Sequence, residues 1–388
     1  MDLSAVPAID THCHPFPPAQ TVVSPELLRN AIGESLAADA SPLNDTALLN
    51  RMVVKGLSAL LDCEAAWDAV VAARNAAAGD NAAAYHRLLF GDANVQMVLI
   101  DPGFPDTPTI LAEDFAVTMP CPVFEGYRIE RFTGEGTMQT AGHEWFGDFI
   151  DAFLARLDEE AARPRTRFYK TVMAYLTGLA VRKVSESEAR TAWGQRGADA
   201  GAEKTLRDYL FWLTALKARE HHLPFQVHTG HTSQFNPWPN VNPILLTPIL
   251  NEPELRETSF VLVHGGYPFC TEAGYMTSIY PNVALDLSLM IPWSGHGIAR
   301  RIEETLEAAP TAKIMYGSDA IYVPELYWIS AKNARRALGQ VLDRLIDDDV
   351  LDADEAKEVA HDILHRNAER IYGVSLEVPL TDAHGHGN

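Results

Sequence analysis

Eight short, nearly unbroken apolar runs punctuate the chain, at residues 8–10, 95–100, 122–127, 168–174, 225–228, 260–264, 283–287 and 313–316. Strands buried on both faces read in this continuous way, whereas half-exposed strands alternate. Longer amphipathic stretches separate the runs, which predicts βαβ units and a parallel sheet. Eight such units fit a closed (β/α)8 TIM barrel of the α/β class. A dinucleotide-binding fold would place a glycine-rich turn after its first strand; here the first run continues as Thr11-His12-Cys13-His14-Pro15. Two segments exceed a simple crossover. Residues 15–90 carry helical patterns over 48–61 and 63–78, with Trp67, Tyr85 and Leu88 supplying apolar surface, and they predict a helical insertion over the barrel mouth. The alternative is a set of outer-ring helices joined by a long loop. Residues 177–222 are charged and glycine-containing at first, then helical over 202–219. Residues 1–375 are expected to form one barrel domain, and 376–388 a polar tail in which His384 and His386 stand.

Polar chemistry concentrates where apolar runs end. In a strand, residues i and i+2 face the same side. His12 and His14 therefore share one face and Cys13 the other. Two imidazoles on the inner face of a barrel need partners, and a divalent ion at the C-terminal rim supplies one to each. Two hydrogen-bonded histidines at a strand end are the plainer alternative. The same pattern recurs: the fifth run ends in His228-Thr229-Gly230, the sixth in His264-Gly265-Gly266, and the eighth leads to Gly317-Ser318-Asp319-Ala320. Catalytic side chains of such barrels sit at these strand ends. The coincidence of four is far more specific than any single histidine.

Composition narrows the field of partners. A formal net charge of −21 opposes binding to nucleic acid phosphates, which requires clustered Lys and Arg, and equally to anionic membranes. The partner expected is a small-molecule substrate. Four scattered cysteines, Cys13, Cys63, Cys121 and Cys270, include no CxxC pair. They suggest reduced thiols and a cytoplasmic location. The N-terminus lacks the basic and apolar regions of a secretory signal, and no apolar stretch approaches the ~18 residues of a membrane span.

With these motifs in view, the sequence resembles the amidohydrolase superfamily, in its amidohydrolase-2 branch and most nearly the FluG-like group. The resemblance covers most of the chain and is densest over residues 223–336, in LPFQVHTG, NPILL, FVLVHGGYPF, EAGYM, YPNVALDLSL, KIMYGSDA and PELYW. It implies that His12, His14, His228 and Asp319 bind metal and that His264 completes the site. Two positions depart from the branch's pattern. Thr232-Ser233-Gln234 follow the fifth strand where an acidic residue is common, and Leu176 stands where many members have arginine. Barrels of this branch are often dimers, so a homodimer is expected by resemblance.

The resemblance implies hydrolysis of a C–N bond, amide or γ-glutamyl-like, by a metal-activated water. Non-oxidative decarboxylation of a small unsaturated or aromatic acid is the alternative, since the branch contains both. The histidine-rich donors suit Zn²⁺, with Mn²⁺ and Fe²⁺ as alternatives. A bound divalent ion lowers the pKa of water to about 7. Asp319 would accept the proton, and His264 would stabilise the oxyanion or bind a second ion. Lys170, in the fourth strand, would bridge two ions if carbamylated; otherwise it pairs with a carboxylate such as Glu130 or with substrate. Arg128 and Glu130 share a face at the end of the third strand. There Arg128 can clamp a substrate carboxylate or pair with Glu130 or Glu125. Tyr175, His231 and Tyr267 follow strand ends and are placed at the substrate. Trp238 and Trp293 are as readily packing residues.

Overall fold

Each of the eight runs forms a strand: β1 (Ala8–Cys13), β2 (Val95–Ile100), β3 (Val123–Arg128), β4 (Thr166–Thr171), β5 (Phe225–His228), β6 (Phe260–Val263), β7 (Val283–Asp286) and β8 (Ile314–Met315). The computed structural model describes residues 1–33, 44–104, 110–136, 138–197, 199–232 and 236–377. The polar tail beyond 377, with His384 and His386, and residues 233–235 after the fifth strand lie outside them. The strands pair in chain order, all parallel. The Thr11 amide donates to Tyr316 O (3.2 Å) and that of Asp319 to His12 O (2.8 Å), which brings the last strand back to the first. This is a (β/α)8 barrel. Most strand boundaries differ from the sequence reading by a few residues; β4 stops at Thr171 because residues 173–175 coil into a 3-10 turn, and β8 spans only two residues.

Side chains sort by strand parity. Ile9, Met97, Leu99, Phe168, Val261, Val263, Ala284 and Met315 fill the barrel interior, joined by Ala368 and Tyr372. Val98, Ile100, Phe225, Phe260, Leu262, Val283, Leu285 and Ile314 face the surrounding helices. Phe168 is accommodated because β3 has Gly126 beside it; a Cβ there would lie 2.0 Å from the ring. The interior is a packed floor, and the polar ends of the strands stand above it.

The first insertion folds into helices α1 (Pro25–Gly33), α2 (Leu48–Leu60), α3 (Trp67–Ala78) and α4 (Ala82–Asp92). A buried ion pair ties them to the barrel: Arg74 Nε of α3 donates to Glu325 Oε1 (2.7 Å), both residues without solvent exposure. α2 approaches the helix after β8 so closely that a Cβ on Gly56 would sit 2.6 Å from the Trp328 ring. Trp293, in the loop after β7, donates to Ile32 O at the end of α1 (3.1 Å). The second insertion contains α5 (Glu186–Trp193), started by a Ser185/Glu188 capping box, and α6 (Ala200–His221). Helix α7 (Pro324–Asp347) follows β8. No described helix is long and apolar enough to cross a membrane.

Candidate metal centre

The strand ends deliver one polar residue after another into the same space. In β1 the parity changes on the way. Asp10 pairs with Val98 but Cys13 pairs with Ile100, so β1 carries one extra residue there. A bulge of this kind re-aims the side chains that follow. Ile9 faces inward below it; beyond it His12 and His14 meet Asp319, and Cys13 packs outward beneath Leu99 O. His264 and Asp319 are turned by their own backbones, with φ of 78° and 57°. Non-glycine residues in this left-handed region are strained, and such strain gathers at functional sites. Val261 and Val263 point inward, so simple alternation would send His264 outward; its positive φ brings it in.

At one end of the site, Asp319 Oδ1 lies 3.3 Å from His12 Nε2 and 3.2 Å from His14 Nε2. The Nδ1 of His14 faces the Asp101 carbonyl at 3.0 Å. A carbonyl only accepts, so Nδ1 carries the proton and Nε2 presents a lone pair to the carboxylate. Burial pushes the His12 pKa down to about 4, with the Lys170 ammonium adding to the effect. Asp319 Oδ1 and His12 Nδ1 are buried without a hydrogen-bond partner, and His12 Nε2 meets the Lys170 ammonium at 3.3 Å. Imidazole nitrogens and a carboxylate oxygen drawn this close together fit a cation among them. The donor set of imidazoles and one carboxylate is that of a divalent transition ion, and a backbone carbonyl holding the far nitrogen of His14 is the usual device for orienting such a ligand.

At the other end every ring nitrogen is engaged. His228 Nε2 donates to the His231 carbonyl (2.8 Å), His264 Nε2 donates to His228 Nδ1 (2.9 Å), and the Ser288 hydroxyl donates to His264 Nδ1 (3.0 Å). Burial holds both imidazoles well below their usual pKa, hence neutral. Ser288 is positioned by Asp286, whose Oδ1 accepts from the Ser288 amide (2.9 Å) and whose Oδ2 accepts from Thr11. Burial raises the Asp286 pKa to about 6 against these bonds. The carboxylate fits because its neighbour is Gly317, where a Cβ would come within 2.2 Å of Oδ2.

Nitrogens of His12 and His264 and an oxygen of Asp319 lie within 4.8 Å of one another, as do ligand atoms of His12, His14 and Asp101. His228 belongs to neither group. It stands one step behind His264, with the Tyr175 ring tilted against its own, centroids 4.1 Å apart. Lys170 Nζ is 3.3 Å from His12 Nε2, and burial lowers its pKa to about 8.

Several expected neighbours sit elsewhere. Glu130 begins a short helical turn instead of extending β3, and it accepts from the Thr171 hydroxyl (2.6 Å) rather than meeting Lys170. Arg128 pairs with neither Glu130 nor Glu125. It binds Asp101 through Nε and Nη2 (2.9 and 2.6 Å) and Glu135 through Nη1, while Glu125 meets Arg163 (3.0 Å). His231 enters through its carbonyl, and Tyr267 lies under Arg301, 5.3 Å from guanidinium to ring centroid. The sequence reading missed Asp101, Asp286 and Ser288. The signal for the first was present: VQMVLI runs straight into Asp101-Pro102-Gly103, and Asp101 follows Leu99 at the inward spacing.

Comparison with known proteins agrees with the barrel fold. Protein fluG of Emericella nidulans is 29% identical over 246 residues, which is 60% of this chain and 28% of that longer protein. The chain thus spans under a third of the length of that relative. A crystal structure from Lactobacillus casei, of a protein assigned as a metal-dependent hydrolase, superposes with a TM-score of 0.82 at 25% identity, covering 96% of this chain and 97% of that one. A uronate isomerase from Bacillus halodurans shares the fold, with a TM-score of 0.65 at 15% identity over 96% and 94% of the two chains. The amidohydrolase family model matches residues 9–374, the whole of the barrel from β1 to the C-terminal helix, and the chain belongs to the amidohydrolase family.

Proposed function

We propose that the protein is a metal-dependent hydrolase that cleaves a C–N bond, amide or γ-glutamyl-like, in a small substrate. The observation that carries this reading is the buried Asp319 Oδ1, without a donor and 3.2–3.3 Å from the Nε2 atoms of His12 and His14. Those three residues would hold the ion, most simply one Zn²⁺, with water completing its coordination and the His228–His264 pair standing beside it. A divalent ion supplies Lewis acidity there, polarising a carbonyl and acidifying water near neutral pH.

The residues of the chain do the rest. Asp319 accepts the proton of the attacking water and returns it to the leaving nitrogen. His264, 3.9 Å from Asp319 Oδ2, would stabilise the negative charge developing on the carbonyl oxygen by turning its Nε2–H from His228 Nδ1 to the substrate. Lys170, buried beside His12, adds positive charge to that wall, and Tyr175 and His231 close the side behind His228. The likeness to the Lactobacillus casei protein assigned as a metal-dependent hydrolase, over nearly the full length of both chains, supports hydrolysis, and the fluG match supports the same group.

The test is a screen of metal-replete protein against γ-glutamyl amides and simple carboxamides, scoring amine or ammonia release, beside a panel of aromatic acids scored for CO₂. Amine or ammonia release that disappears in Asp319→Ala is the expected result. CO₂ release without amine or ammonia overturns the reading in favour of decarboxylation.

A further inference from the structure

Arg128 carries two carboxylates, and they are held very differently. Asp101 is fully buried, grips Nε and Nη2 of the guanidinium, and also accepts from the Gly103 amide (3.0 Å). Glu135 takes the remaining Nη1, yet its side chain is 34% exposed. Among the described residues Arg128 is the only hydrogen-bond partner of the Glu135 carboxylate. The backbone that presents Glu135 is fixed on both sides, because the buried Arg207 donates to Gly134 O (3.4 Å) and Gly136 O (2.8 Å). Glu135 is therefore delivered to Arg128 by a pinned loop, while its carboxylate stays within reach of water.

One guanidinium neutralises one carboxylate, so the second is exchangeable. Releasing Asp101 would strand a buried charge, a large penalty. Releasing Glu135 only returns a part-exposed carboxylate to solvent, where such pairs are worth little. The retained carboxylate, Asp101, ties Arg128 to the chemistry. The Asp101 carbonyl orients His14, and an Asp101 carboxylate oxygen is within 4.8 Å of ring nitrogens of both His12 and His14. In the β3–β4 register Arg128 pairs with Lys170, whose Nζ meets His12.

We propose that Glu135 holds the place of a substrate carboxylate: the substrate is a small amide that also bears a carboxylate, and this group displaces Glu135 from Nη1 of Arg128 on binding. The inference rests on the amide-hydrolase reading for the reacting bond, but the carboxylate subsite can be tested without turnover. The Arg128–Asp101 pair stays in place throughout, and the incoming group takes over one charge-assisted hydrogen bond.

The experiment measures binding of glutarate and of its uncharged diamide, glutaramide, to the metal-replete full chain by calorimetry, in wild type and Glu135→Gln. Glu135→Gln removes the competing charge, so glutarate binding should tighten by roughly fivefold while glutaramide binding and bound metal stay unchanged. Adding Arg128→Lys to that variant should reverse the gain, since an ammonium cannot offer the same fork. Equal glutarate affinity in the two proteins, tightening of both ligands alike, or no glutarate binding by either overturns the inference. Failure of the amide screen with the glutarate gain intact would remove the reaction and leave the subsite standing; the converse would remove the subsite alone.

Discussion

The two ends of the metal centre are built from the same residue type and are satisfied in opposite ways. Around β1 and β8, His12 and His14 bring ring nitrogens to 3.2–3.3 Å from Asp319 Oδ1, an oxygen left without a hydrogen-bond partner, with the Lys170 ammonium at the edge of the group. Around β5, β6 and the loop after β7, His228 and His264 sit in a chain running from the Ser288 hydroxyl to the His231 carbonyl, with a proton available for every link. A histidine count treats these imidazoles alike. Their partners do not, because a ring nitrogen that already donates to a carbonyl has no lone pair left for an ion. In the proposed reading the first end holds the cation, and the second shapes and tunes what lies beside it.

The sharpest way to break this contrast is Asp319→Ala. Elemental analysis should find the bound ion gone and activity below detection, and a full complement of tightly held metal would refute the assignment of the first end. Comparing His264→Ala with His228→Ala comes next. His264 shares a 4.8 Å cluster with His12 and Asp319, so its removal should empty the site more than removal of His228. The opposite order would make His228 the fourth ligand and His264 its support.

Glu325→Ala probes what holds the first end. It leaves the Arg74 charge buried, and α7, which carries Glu325, also bears Tyr327, whose hydroxyl donates to His14 O. Urea unfolding should show a loss of about 3–5 kcal/mol; a loss under 1 kcal/mol would mean the pair is dispensable. Ser288→Ala probes the second end, since it strips His264 of its donor without touching Asp319. A drop of about 10–100-fold in activity or metal affinity is expected, with Ser288→Thr restoring most of it, and an unchanged enzyme would show that the chain of bonds is incidental. The smallest effect belongs to Ser185→Ala, at the exposed cap of α5. It should cost about 1 kcal/mol of stability and leave metal content at both ends unaltered.

Much of the fold was legible because burial on both strand faces writes an apolar run into the chain. All eight runs became strands, and the helices expected near 48–61, 63–78 and 202–219 formed with ends shifted by a few residues. The site was legible in part. Period-two spacing correctly put His12 and His14 on one side, and the small residues after His264 and Asp319 marked turns. Arg128 and Glu130 show where spacing misleads. The chain leaves the strand after Arg128, so Glu130 swings to Thr171, and the partners of Arg128 come from the residue just after β2 and from the loop at 134–136.

What the sequence determined alone was therefore the set of strands, the barrel, and which strand ends carry ligand-type side chains, since these follow from local periodicity and from turn chemistry. Only the tertiary structure decided how those side chains divide the work. The extra residue in β1, the left-handed φ at His264 and Asp319, and the carbonyls of Asp101 and His231 fix which nitrogen of each ring keeps its lone pair. Such choices depend on atoms brought together from distant segments, and local sequence does not encode them.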